Sequence, residues 1–322
     1  MIPVRIPSPK EQPESNAAFR RSPARRIGAI SYARAHLQVQ YLNLPAWLFL
    51  STVLTLLWQP ASAQVLHHRE ISVLGNSTQL LVVTTPAWTA QTGVLHRYER
   101  SQPDMAWQLV GHAIGVVVGK NGLGWEEERP KLNVEDAARQ DSDIFVPPDP
   151  GTARTADDPA KKEGDMRSPA GVFRVGPAFG SAAQEPPGWR MPYWGLNSST
   201  ECVNDPKSKF YNHMLSRTAI PPDWKSSEPM QGVNSFDWGL IIQQNVFPVH
   251  PGDGSCIFLD VWSGPGKPTT GCTATAKEQI MILLGWLDPN RQPLLVQLPA
   301  AKYKALEKAW GLPALAAQRN RE

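Results

Sequence analysis

The chain has 322 residues with a formal net charge of +3 and 41% hydrophobic residues, which leaves room for one large domain or two small ones. Much of the positive charge falls in residues 1–34, and no basic stripe with interleaved aromatic residues follows, so the sequence disfavours nucleic-acid binding. The 31 prolines and 12 tryptophans favour a sheet-rich fold with structured loops over a helical bundle.

Residues 1–63 have the pattern of an N-terminal extension followed by a secretory signal peptide. A basic region precedes the apolar run 46–58, and Ala61-Ser62-Ala63 supplies an A-x-A cleavage site. The apolar run is shorter than the roughly 20 residues that a membrane-spanning helix needs. We therefore predict cleavage after Ala63, a periplasmic or secreted mature protein, and no integral membrane domain after cleavage. The alternative is an uncleaved N-terminal membrane anchor.

The mature chain begins with β-type patterns. Residues 64–125 contain predicted strands within 71–85, 94–100 and 107–118, which supply the first strands of the domain. Residues 126–163 are polar, charged and rich in proline, and we predict a long surface loop there.

Residues 164–322 form the remaining predicted region. A Pro-x-Gly turn at Pro169–Gly171 is expected to lead into an alternating strand, and 177–235 is expected to be rich in loops. Further elements are predicted from periodicity and end signals: strands at 238–243, 255–262 and 294–298, and helices at 278–286 and 302–310. The predicted fold class is mainly β with a few helices.

Three cysteines remain after the predicted cleavage site: Cys202, Cys256 and Cys272. Export implies an oxidising compartment, so an odd count favours one disulfide and one free thiol. Cys272 follows Gly271 on a tight turn where backbone N–H groups can stabilise a thiolate and then an oxyanion. The alternative is a small buried hydrophobic residue or one half of a disulfide.

Two motifs carry a family resemblance. Thr269-Thr270-Gly271-Cys272 resembles the Ser/Thr-x-Gly-Cys signature of the L,D-transpeptidase catalytic-domain family (YkuD-like), and Arg167–Phe173 is similar to that family's Thr/Ser-Pro-x-Gly-x-Phe segment. The resemblance covers roughly residues 164–298. It implies a β-sandwich or barrel-like domain that acts as a monomer on peptidoglycan stem peptides, without a cofactor or metal.

The resemblance also implies roles for individual residues. Cys272 would be the nucleophile that forms an acyl-enzyme, Gly271 and its neighbours would form the oxyanion hole, and Thr269 stands at the family's Ser/Thr position. A peptide amine would resolve the acyl-enzyme in a transpeptidase, and water would resolve it in an L,D-carboxypeptidase. We predict a disulfide between Cys202 and Cys256, which would tie a loop to the catalytic strand.

The sequence departs from the family where the catalytic histidine is expected, because Asp260 occupies that position. The ordinary pKa of an aspartate is about 3.9 and that of a thiol about 8.5, so the carboxylate is a weak base for Cys272. Its charge would also oppose formation of a thiolate. His250 and His213 are alternative bases. The remaining alternatives are a slow or specialised enzyme and a family member that binds peptidoglycan without turnover.

Overall fold

The computed structural model describes residues 73–126, 154–246 and 248–316. The predicted signal peptide and its cleavage site after Ala63 lie outside the described residues, as does most of the predicted polar loop. Within the described ranges, no helix is both long and apolar enough to cross a membrane.

The described residues form thirteen β-strands. They are Gln79–Thr85 (β1), Thr92–Glu99 (β2), Gln108–Val117 (β3), Leu123–Trp125 (β4), Ser168–Gly180 (β5), Tyr193–Gly195 (β6), Thr200–Val203 (β7), Met214–Ser216 (β8), Ser227–Pro229 (β9), Trp238–Gln243 (β10), Phe258–Val261 (β11), Thr273–Thr275 (β12) and Leu294–Pro299 (β13).

Two α-helices, Lys277–Trp286 (α1) and Ala300–Leu306 (α2), occur in the described part of the chain, with 3-10 turns at Asn234–Phe236 and Pro289–Arg291. The mainly-β class predicted from the sequence is therefore confirmed.

Eight strands close into a barrel in the order β10-β11-β12-β3-β2-β1-β13-β5, and β5 returns to pair with β10. The pairs β1–β13 and β11–β12 are parallel, whereas the other barrel pairs are antiparallel. Closure leaves no free edge within the barrel itself. β4 and β6 add to β5 outside this circuit. Strands from both sides of the predicted polar loop thus build one barrel.

The continuous apolar run of β1 is explained by burial on both faces of the strand. Leu81 and Val83 pack in one cluster with residues of α1, while Leu80 and Val82 pack in another with Tyr303 of α2. Successive side chains of a strand point to opposite faces, so both halves of the run bury apolar surface.

The predicted turn at Pro169–Gly171 is wrong, because these residues lie inside β5. The expected alternation of exposed and buried side chains is also absent, since β5 is buried along most of its length. The physical reason is that β5 pairs with β13 and β10 and also with β4 and β6. Pro169 sits near the start of the strand, where a missing N–H is tolerated.

The predicted surface loop at 126–163 is partly wrong in its described portion. Asp158 and Lys161 are 7% and 3% exposed, and Ala160 forms a β-bridge with Trp125. Asp158 accepts hydrogen bonds from the indole Nε1 of Trp125 (3.2 Å) and the backbone N–H of Thr155 (2.8 Å). This end of the stretch is folded against the barrel rather than lying free on the surface.

A separate small sheet has the strand order β8-β7-β9 and falls in the region predicted to be rich in loops. Its centre is Glu201 of β7, which is 4% exposed and accepts hydrogen bonds from Arg217 at 2.9 and 2.7 Å. Trp224 and Ser227 donate to the same carboxylate at 3.0 and 2.7 Å. This network ties Arg217, Trp224 and Ser227 to the central strand β7.

Candidate active site

The turn that carries Cys272 is fastened to two strands of the barrel. Ser168, at the start of β5, donates its hydroxyl to the backbone carbonyl of Cys272 at 2.8 Å and accepts from the N–H of Gly119 at 2.9 Å. Thr269 also donates its hydroxyl to the Cys272 carbonyl, and its N–H bonds to the carbonyl of Val118 at 3.0 Å. Both motifs that carry the family resemblance therefore meet at the backbone of Cys272.

The Gly271 amide, assigned by the resemblance to an oxyanion hole, donates to the hydroxyl of Thr269 at 3.2 Å. Binding of an oxyanion by this amide would thus require Thr269 to release it. A Cβ at position 271 would come no closer than 3.5 Å to its neighbours, the carbonyl oxygen of Arg167 and Cδ1 of Ile257. Contact space alone therefore does not require glycine here.

The side chain of Cys272 is partly exposed and carries the only free thiol among the described residues. Its Sγ lies 3.6 Å from the backbone carbonyl oxygen of Cys256, towards which it can donate. The same side chain packs against an aromatic cluster that includes Phe258 and Phe236.

Asp260 lies on β11 beside the thiol, at the position where the family carries its histidine. β11 pairs in parallel with β12, and Asp260 is the Cα partner of Ala274, two residues after Cys272. Asp260 is 3% exposed, and its carboxyl is close enough to the Cys272 thiol for each group to shift the pKa of the other. The residue that the resemblance aligns with the family's histidine therefore lies near the thiol in the fold.

The surroundings disfavour charge on both partners. Burial, followed by the nearby Glu228 carboxylate, raises the pKa of Asp260 well above its ordinary range. Burial also raises the pKa of the Cys272 thiol, and the carboxylates of Asp260 and Glu228 raise it further. A hydrogen bond with the Phe258 backbone opposes this rise without reversing it. The resting site therefore favours a neutral thiol.

Two further carboxylates were missed by the sequence analysis. Glu228 of β9 is half-buried, and burial together with Glu163 raises its pKa. Glu163 accepts hydrogen bonds from the hydroxyls of Tyr211 and Ser255, the latter at 2.7 Å. Glu228 belongs to a three-residue strand and Glu163 to a polar stretch, so neither position had a recognisable motif.

The histidines considered as alternative bases lie elsewhere. His213 is exposed and its Nδ1 lies 2.9 Å from the carbonyl of Tyr211, and the backbone of His250 is held by the Asn245 side chain. Among the described residues, neither histidine belongs to the groups that bond to Cys272 or shift its pKa. Asp260 is the base candidate that the fold brings to the thiol.

Cys202 and Cys256, paired in the sequence analysis, form a disulfide with a Cα–Cα distance of 5.9 Å. It connects β7 of the small sheet with the segment that leads into β11. Cys256 has a left-handed backbone with φ of 56°, and its N–H donates to Oδ1 of Asn212 at 2.9 Å. This backbone aims the Cys256 carbonyl at Cys272.

In the described ranges, no group of three or more His, Cys, Asp or Glu side chains is arranged to hold a metal ion.

No family model, curated protein or solved structure matches this chain. The two motifs and the contacts of Cys272 are therefore the features of this chain that point to a function.

Proposed function

We propose that this protein is a cysteine acyltransferase of the L,D-transpeptidase type that acts on peptidoglycan stem peptides outside the cytoplasmic membrane. The observation that carries the proposal is the placement of the free thiol of Cys272 beside Asp260, across the paired strands β11 and β12, on a turn fastened by Thr269 and Ser168. The export pattern of residues 1–63 supports the compartment.

In the first half of the reaction, Cys272 attacks the carbonyl carbon of a stem-peptide amide. The thiol proton passes to the Asp260 carboxylate as the carbon–sulfur bond forms, and the carbonyl electrons move to oxygen. Collapse of this tetrahedral species breaks the C–N bond, and Asp260 returns the proton to the leaving amine. The product is a thioester on Cys272 with Asp260 ionised again.

In the second half, an acceptor amine attacks the thioester and gives a proton to Asp260. The carbon–sulfur bond breaks, a new amide forms, and the sulfur recovers the proton from Asp260. Attack by water would follow the same proton path and release a carboxylic acid, as in an L,D-carboxypeptidase. The acceptor, rather than the residues at Cys272, would distinguish these two outcomes.

The raised pKa of Asp260 supports its assignment as the base. A general base works best when its pKa lies near the working pH, and an ordinary aspartate is far too acidic for a thiol. Burial and Glu228 move the pKa of Asp260 in the required direction. The same environment raises the pKa of Cys272, so the transfer remains uphill and a slow enzyme is expected.

One observation favours a second candidate, a protein that binds peptidoglycan without turnover. Burial and two neighbouring carboxylates favour the neutral thiol, which has no histidine among its described partners. In this case the protein would keep the fold and bind peptidoglycan, while Asp260 would mark the loss of catalysis.

The test is acylation of the purified protein by a carbapenem, measured by intact mass. The proposal predicts a covalent adduct that is absent in Cys272→Ala and at least about 100-fold slower to form in Asp260→Asn, the range expected for loss of a general base. A folded wild-type protein that forms no adduct would instead support the non-catalytic candidate.

A matched variant separates the two candidates further. Asp260→His restores the residue that the family resemblance expects. Acylation that appears only in this variant would identify Asp260 as the cause of lost catalysis, whereas acylation of the wild type would identify it as a working base.

A further inference from the structure

The small sheet places Glu228 near the site without involving any residue of the two motifs that carry the family resemblance. In the small sheet, Glu228 and Cys202 are direct Cα partners of antiparallel strands. Directly opposed residues of such a pair place their side chains on the same face. The carboxylate of Glu228 therefore lies on the face of the sheet from which the disulfide leaves.

The disulfide links the strand partner of Glu228 to a neighbour of Cys272. Cys202 is bonded to Cys256, and the carbonyl oxygen of Cys256 lies 3.6 Å from the Cys272 sulfur. Only Cys256 thus stands between Cys202, the strand partner of Glu228, and the thiol. Without the disulfide, only hydrogen bonds and packing would hold the small sheet against this side of the barrel.

We propose that the Glu228 carboxylate disfavours the thiolate form of Cys272, and that the Cys202–Cys256 disulfide holds Glu228 near this thiol. It acts directly on the thiol and also through Asp260, because its charge disfavours a second negative charge on either group. The importance of Glu228 for catalysis rests on the proposed function, whereas its effect on the ionisation of Cys272 does not.

The charged neighbourhood defines the pH range in which this effect appears. Cys272 faces Asp260 on β11 and Glu228 on β9, while Glu228 faces Glu163, which is hydrogen-bonded to Tyr211. Glu228 restrains the thiol only when it is itself ionised, and Glu163 raises the pKa at which this happens. The restraint should therefore strengthen as the pH rises.

The restraint would protect a thiol that lies beside a disulfide. A thiolate on Cys272 could attack the sulfur of Cys256, forming a Cys256–Cys272 bond and releasing Cys202 as a thiolate that then takes up a proton. Such exchange requires the thiolate form of the attacking cysteine. A neutral Cys272 thus preserves both the native disulfide and the free nucleophile.

The experiment compares the alkylation of Cys272 by iodoacetamide in the wild type, Glu228→Gln and the exposed control Glu185→Gln. Rates are measured by peptide mass from about pH 6 to about pH 10, which brackets the ordinary thiol value. If the variant holds about tenfold more Cys272 as thiolate than the wild type at the same pH, its alkylation should be only about threefold faster. The reason is that a less basic thiolate is a weaker nucleophile.

We expect Glu228→Gln to react about threefold faster near pH 8 and to approach the wild-type rate at low pH, while Glu185→Gln follows the wild type. Equal rates for Glu228→Gln and the wild type across the range would overturn the inference. Alkylation does not need acyl transfer, so a failed carbapenem test leaves this result interpretable.

The role of the disulfide is tested in the Cys202→Ala/Cys256→Ala background, with folding checked by circular dichroism. In this background, the ratio of the alkylation rate with Gln at position 228 to the rate with Glu should shrink. Its logarithm should be less than half of the value measured when the disulfide is present. An unchanged ratio in a folded background would show that the disulfide does not hold Glu228 in place. Peptide mapping gives a second readout, since Glu228→Gln should increase the Cys256–Cys272 pairing at alkaline pH.

Discussion

The carboxylates of Asp260 and Asp158 are almost equally buried, at 3% and 7% exposed, yet their pKa values move in opposite directions. Burial alone would raise both. At Asp158, hydrogen bonds from Lys302, with a 2.6 Å ion pair, and from Thr155 outweigh burial and lower the pKa. At Asp260, burial and the Glu228 carboxylate raise the pKa, and the Cys272 thiol opposes this rise without reversing it.

Glu201 of the small sheet behaves like Asp158. Burial would raise its pKa, but Arg217, Ser227 and Trp224 together lower it. The fold can therefore satisfy a buried carboxylate with cations and N–H or O–H donors, and it does so at two places. The absence of such donors among the described residues beside Cys272 is the pattern that functional sites often have, and it supports the proposed acyl transfer.

The largest expected effect on stability concerns the link between the small sheet and the barrel. The Cys202–Cys256 disulfide spans a sequence separation of 54 residues. Its removal in Cys202→Ala/Cys256→Ala should lower the free energy of unfolding by about 4 kcal/mol, because the unfolded chain loses a covalent loop closure. Urea unfolding checks this, and Cys272→Ala, which keeps the disulfide, should lose much less.

The next effect contrasts catalysis at the two kinds of carboxylate. Asp260→Asn should slow acylation at least about 100-fold, whereas neutralising the buried Glu201 in Glu201→Gln should leave acylation within about threefold of the wild type. The acylation rates of the two variants and the wild type, measured by intact mass, test this expectation. A similar loss in both variants would mean that Asp260 acts through the fold and not as a base.

A smaller effect is expected on stability at Glu201. Its lowered pKa contributes stability that is present above the unfolded pKa and is lost as the pH falls through the folded pKa. Glu201→Gln should cost about 2 kcal/mol at pH 7 and much less near pH 3, as measured by urea unfolding. A pH-independent cost would show that packing, rather than the charge, is responsible.

The smallest effect has the opposite sign. The raised pKa of Asp260 gives stability that is complete below the unfolded value of about 3.9 and is lost as the pH rises through the folded pKa. Asp260→Asn should therefore gain on the order of 1 kcal/mol at pH 7 and almost nothing near pH 3. A loss of stability at neutral pH would contradict the conclusion that the fold disfavours the charged form of Asp260.

The sequence predicted the long, regular elements well. The strand at 238–243 matches β10 at both ends, and the helix at 278–286 matches α1 within one residue. These segments have a strong apolar period or clear end signals. The strands of the small sheet have three or four residues each, which is too short for a period to show.

Part of the candidate site could be proposed from the sequence. Cys272 and Thr269 lie in a recognisable motif, Asp260 stands where the resemblance expects a histidine, and the structure places all three near one another. Glu228 was missed because its position relative to the thiol depends on the small sheet, and Glu163 was missed because it acts only on Glu228. The contact between Ser168 and Cys272 was equally invisible, although both residues lie in motifs that were recognised.

The parallel pairing of β1 with β13 has a consequence for how the protein folds. β1 occupies residues 79–85 and β13 residues 294–299, so the circuit of strands stays open until both have been synthesised. Contacts of such long sequence separation slow folding. A chain truncated just before β13 would contain every residue of the site but would expose β1 and β5 as two unpaired edges. The truncated chain should aggregate through these edges before Cys272 can react. The reactivity of the thiol therefore depends on an intact β13.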